Sequence, residues 1–212
     1  MEPNEPNRPA EIPYPFPPLR EAPRRTDPVA VPMVEMPSSD PREQLLDRRT
    51  ILVAGRLDDS AVTHLCAQLM ALDGRSPTPV DLLVNSAGGP LVAISAALDV
   101  LDLMRAEVNA TCIGTAGGTA AVLLACATGR RRAGRNARIR LRVEDVSDTS
   151  GTAEELAQRA MEHATQLRRI ADVLAAVTGA PTDVMATQLE SGAAVDADGG
   201  RSLGIIDEIV GA

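Results

Sequence analysis

The stretch Leu82-Leu83-Val84-Asn85-Ser86-Ala87-Gly88-Gly89-Pro90 passes from a short apolar run into a polar, glycine-bearing turn, and residues 91–105 beyond it read as a helix. That order predicts a buried strand, a tight turn and a helix. The order recurs: residues 108–113 read as a strand, Gly114-Thr115-Ala116-Gly117-Gly118 is a second glycine turn, and residues 119–127 read as a helix. At such a junction backbone N–H groups point outward from the helix N-terminus, and glycine lets a ligand come close. Two such turns side by side could present two amide donors to one developing oxyanion. Tight turns where helices merely pack on strands would carry the same residues.

Working outward, Thr50-Ile51-Leu52-Val53-Ala54 reads as a strand, and Asp58-Asp59-Ser60 as the cap of a helix over 61–72. Residues 80–85 are a strand. Residues 137–143 are a strand with outward arginines. Residues 152–178 are one long helix, with Leu156, Ala160, Ala164, Leu167, Ile170, Leu174 and Val177 as its apolar stripe. A short helix over 183–190 and a helix turn and strand over 204–210 close the chain. Strands alternating with helices across short turns predict an α/β fold with parallel strands.

Composition excludes several functions. The 212 residues suffice for one domain plus an extension. Tyr14 and Phe16 are the sole aromatics, so base-stacking platforms for single-stranded nucleic acid are absent. The net charge of -8 also argues against a phosphate-backbone binder. All 21 basic residues are Arg, which excludes Schiff-base chemistry and a Walker A lysine. Cys66, Cys112 and Cys126 lack CxxC spacing and read as buried thiols in a reducing compartment. His64 and His163 lack ligand spacing, so no metal or other cofactor is expected. No signal pattern or membrane-length apolar run is evident, which predicts a soluble, cytoplasmic protein. Twelve of the 16 prolines lie between Pro3 and Pro41, so residues 1–46 read as a disordered or extended tail and 47–212 as the folded domain.

Five runs taken together resemble the ClpP family, the proteolytic subunit of the ATP-dependent Clp protease. They are Ile51-Leu52-Val53-Ala54-Gly55-Arg56-Leu57-Asp58-Asp59, the two glycine-turn runs through Gly89 and Gly118, Asn136-Ala137-Arg138-Ile139, and Leu203-Gly204-Ile205-Ile206-Asp207. The resemblance spans about residues 50–210, with Ala87 where the family's Asn-Ser-Pro-Gly-Gly has Pro. It implies the ClpP/crotonase-like fold of repeated strand-strand-helix units, with 152–178 as the long handle helix of ring-to-ring contact.

The departures bear on chemistry. The family's nucleophilic Ser falls at Gly118; a slip of one residue gives Gly117 or Thr119. Its general base His falls at Arg142, which accepts no proton at neutral pH. Its orienting Asp falls at Gly192, between Ser191 and Ala193. Loss of nucleophile or base costs on the order of 10⁶ in kcat. The resemblance maps the oxyanion-hole amides to Gly89 and Thr119, which need only backbone.

The resemblance with these departures predicts a catalytically inactive ClpP-like subunit. Its partners would be itself or an active ClpP paralogue in a heptamer-like double ring, and a Clp chaperone ATPase, with no nucleic acid and no membrane. Alternatives are an active peptidase with unconventional residues, a crotonase-like acyl-CoA enzyme and a stand-alone structural homo-ring. The arginine run Arg130, Arg131, Arg132, Arg135, Arg138, Arg140 and Arg142 reads as intersubunit or structural pairing, with Glu144, Asp145 and Asp148 as candidate partners, against a nucleic-acid or acidic-partner patch.

Overall fold

A computed structural model describes residues 40–143 and 150–211. Seven helices and six strands alternate among the described residues: α1 (Pro41–Asp47), β1 (Thr50–Arg56), α2 (Asp59–Arg75), β2 (Val80–Gly88), α3 (Leu91–Leu103), β3 (Val108–Gly117), α4 (Thr119–Ala125), β4 (Arg131–Gly134), β5 (Arg138–Arg140), α5 (Ala153–Thr178), α6 (Thr182–Ser191), α7 (Ala197–Ser202) and β6 (Glu208–Val210).

The sheet is parallel throughout, in the order β1-β2-β3-β4-β6. β5 pairs with the far end of β3, beyond the stretch that β4 occupies. Parallel pairing needs a crossover between neighbours, and α2 and α3 supply the first two. One face of the central strands is apolar: Ile51, Val53, Val80, Leu82, Val84, Val108, Ala110 and Cys112 are all buried.

α4 is buried along its whole length, from Thr119 to Ala125. A helix with no wettable face belongs in a core. Small alanines let it lie close to β2 and β3, so a chain with no aromatic residue past Phe16 still packs a dense interior. α5 begins at a capping box, in which the Thr152 hydroxyl accepts from Glu155 N and the Glu155 carboxylate accepts from Thr152 N.

Several boundaries differ from expectation. α1 lies inside the stretch read as tail, and its Leu46 packs against the core, so the folded part reaches back at least to Asp40. The rest of that stretch, residues 1–39, lies outside the described residues. β2 and β3 run on through residues read as turns, because Gly88 pairs with Arg56, and Thr115 to Gly117 pair with β5. β4 and α7 were not anticipated from the sequence.

Candidate functional site

β3 ends at Gly117, and the chain turns sharply at Gly118 into α4. Gly118 has φ +50° and ψ −123°, a conformation that L side chains rarely adopt. Its N–H donates to Arg140 O at 2.8 Å. A Cβ built at Gly118 would lie 3.3 Å from Arg142 O and 3.8 Å from Ala87 O. The strand-to-helix corner is thus the shape of a nucleophile elbow without a side chain on it.

The segment after β5 passes this corner. Ile139 exchanges hydrogen bonds with Val195, and Val143 N donates to Leu189 O at 2.9 Å. These bonds tie both ends of residues 189–195 to the segment 139–143. Of the positions assigned from sequence to nucleophile, base and acid, Gly118 lies against the backbone of Arg142, and Gly192 falls between the two residues so bonded. Arg142 is exposed and Gly192 is buried. A Cβ at Gly192 would meet the Gln188 carbonyl oxygen and sit 2.5 Å from Gln188 Oε1, so the acid position has no room for a carboxylate.

The first glycine turn is held against this corner. Asn85 Oδ1 accepts from Thr115 N at 3.1 Å, and the buried Ser86 hydroxyl donates to Gly55 O and accepts from Gly88 N. A Cβ at Gly88 would strike Gly117 O, and one at Gly117 would come within 2.6 Å of Ala87 O. These two glycines are required by backbone approach alone.

The Gly89 amide differs from expectation. The resemblance maps it to an oxyanion hole, and here it gives its hydrogen to Thr119 Oγ1 at 2.8 Å. The Thr119 side chain is 1% exposed. The physical reason is local: the residue after the elbow carries a short hydroxyl that reaches back across the junction. The same bond sets Thr119 Oγ1 in a buried place, facing the backbone of Gly89. Sequence reasoning missed this contact, because nothing in the spacing says that residues 89 and 119 touch.

His64 is exposed on α2 and His163 is half-buried on α5. Neither has a hydrogen bond to the corner. No group of His, Cys, Asp and Glu fit to hold a metal occurs among the described residues. Cys112 is buried, and Cys66 and Cys126 are half-buried. Burial pushes the Cys126 thiol up to about 12, leaving it protonated and unreactive at neutral pH. No helix among the described residues is long and apolar enough to cross a membrane.

A cavity of about 360 Å³ opens at the carboxyl ends of β1, β2 and β3, lined by Gly55, Arg56, Asn85, Ser86, Ala87, Gly88 and Thr115. Open α/β sheets bind ligands at that end.

Comparison with known proteins agrees with this architecture. The family described as Clp protease matches residues 34–212. An ATP-dependent Clp protease proteolytic subunit-like protein of Streptomyces coelicolor is 35% identical over 82% of this chain and 83% of its own length. ATP-dependent Clp protease proteolytic subunit 1 of Corynebacterium efficiens is 30% identical over 81% and 83%. The crystal structure of the ClpP protease catalytic domain from Plasmodium falciparum shares the fold, with TM-score 0.72 and 19% identity over 85% of this chain and 95% of that one.

Proposed function

The chain belongs to the Clp protease family as a ClpP-like subunit, and from that premise we propose that it is a non-catalytic member of a Clp ring. It shares the ring with an active paralogue or with copies of itself, works with a Clp chaperone ATPase and resides in the cytoplasm. The observation that supports this reading is the approach of Gly118 to the backbone of Arg142 at the strand-to-helix corner, two positions where the family carries a nucleophile and a base. A hydrolytic site needs a nucleophile within hydrogen-bond reach of a base, and a third group to orient that base. Here the first position is a hydrogen atom, the second is a permanent cation and the third is filled by its own helix.

The closed Gly89–Thr119 contact weakens the acyl-CoA alternative, which needs paired open amides. The unconventional peptidase lacks its hydroxyl for the same reason.

The test is direct. The purified chain is offered fluorogenic peptides and a serine-directed fluorophosphonate, alone and after co-expression with an active Clp paralogue. The expected result is no cleavage and no label on this chain, with both appearing on the paralogue in a mixed assembly seen by native mass spectrometry. Label on this chain would overturn the reading.

A further inference from the structure

Residues 137–143 alternate without a break. Ala137, Ile139, Leu141 and Val143 are buried, at 3%, 0%, 2% and 4% exposure, while Arg138, Arg140 and Arg142 are exposed. Alternation puts the three guanidiniums on one side of an extended segment. The strand repeat spaces them about 6.6 Å apart, over about 13 Å. None of the three forms an ion pair among the described residues. Two other members of the arginine run are paired elsewhere, Arg131 with Asp207 and Arg132 with Asp81, and the acids read as candidate partners, Glu144, Asp145 and Asp148, lie outside the described residues.

The segment is clamped. β5 pairs with Thr115, Ala116 and Gly117 on one side, and Ile139 and Val143 bond to Val195 and Leu189 on the other. Over Arg138 to Arg140 both edges of the backbone are paired, so recognition there falls to the side chains. Fixed, evenly spaced guanidinium forks suit carboxylates. The strip also borders the cavity described above, since Thr115 both lines that cavity and pairs with Arg138.

We propose that Arg138, Arg140 and Arg142 form a docking strip for an extended peptide segment with acidic residues at alternate positions, held beside the Gly118 corner. Such a peptide has the same repeat as the strip and presents its carboxylates on one face. The chain's net charge of -8 and its lack of aromatics past Phe16 favour a peptide over a nucleic acid. The proposal rests on the non-catalytic reading in one respect: the docked segment is held and not cut.

The experiment uses the full chain and fluorescence anisotropy with two capped, labelled peptides of equal composition, Ala-Glu-Ala-Glu-Ala-Glu-Ala and Ala-Ala-Glu-Glu-Glu-Ala-Ala. The alternating peptide binds about tenfold tighter, because it engages all three forks at once. Added salt weakens it. The R138Q/R140Q/R142Q variant, checked for native far-UV circular dichroism, loses the preference, and R138K/R140K/R142K keeps part of it. Equal binding of the two peptides overturns the proposal, as does binding unchanged in the Gln variant. Single-stranded DNA binding as tightly and lost in the same variant would reassign the strip to phosphate. A fall in assembly mass for the Gln variant would reassign it to subunit contact. Cleavage of a bound peptide would instead refute the non-catalytic reading and leave the strip standing.

Discussion

At the scale of single residues the strand-to-helix corner holds a backbone shape that side chains rarely adopt. Gly118 sits there at φ +50°, with the Arg142 carbonyl 3.3 Å from where a Cβ would stand. Gly118→Ser places a side chain at φ +50°, which costs about 1–3 kcal/mol of stability. The new side chain meets the Arg142 and Ala87 carbonyls, neither of which activates a hydroxyl. The expected outcome is a slightly less stable protein that takes up no fluorophosphonate, read by urea denaturation and mass spectrometry; labelling would show that a base had been overlooked. Thr119 is the opposite case, a side chain whose role is to satisfy Gly89 N–H in a buried place. Thr119→Val keeps the shape and removes the acceptor, so the orphaned donor costs about 1–3 kcal/mol. Thr119→Ser, which keeps the hydroxyl, should cost less in the same measurement.

At the scale of elements, Arg131 ties the late part of the chain to the early part. Its guanidinium donates to Ala125 O at the end of α4, Val177 O in the last turn of α5, Gly204 O, and the Asp207 carboxylate just before β6. Those side-chain hydrogen bonds hold the Asp207 carboxyl below the usual carboxylate range, against a smaller opposing effect of burial. A depressed folded value means the bond stabilises the protein fully above about pH 4, near the unfolded carboxyl's pKa, and is lost as pH falls through the folded one. Asp207→Asn should therefore lower stability at pH 7 and flatten the acid limb of a stability-versus-pH curve. The carboxylate is half exposed, so the effect is modest. An acid limb as steep as wild type would show that Asp207 is not its source.

The Arg131 linkage also marks what the sequence made legible. β1, β2, β3 and the helices between them follow from apolar period and caps, which are local. β4 hides inside an arginine run, because its pairing with β3 and β6 is decided by residues far away in the chain. α7 reads as a turn by composition, with two glycines in Ala197-Asp198-Gly199-Gly200-Arg201-Ser202, and forms because the Asp196 carboxylate caps it. The glycine at the strand-to-helix corner was legible from the turn composition around Gly117 and Gly118. The occupied Gly89 amide was not, since it depends on how two helix starts meet.

At the scale of the molecule the core is built from aliphatic side chains and alanine, drawn from Ile51 through Ile206 with Leu46 and Ile209 packed at its margins. That cluster joins the sheet to α2, α3, α4 and α5 through described residues from Leu46 to Ile209, and it is expected to close without residues 1–39. Deleting them should leave the far-UV melting midpoint within about 5 °C, since a kcal/mol moves a domain of this size by a few degrees. The deletion also removes Tyr14 and Phe16, and with them every aromatic ring in the chain. The truncated protein should be blank in near-UV circular dichroism while unfolding cooperatively in the far-UV. A large drop in the midpoint would show instead that the proline-rich segment supplies apolar surface to the core.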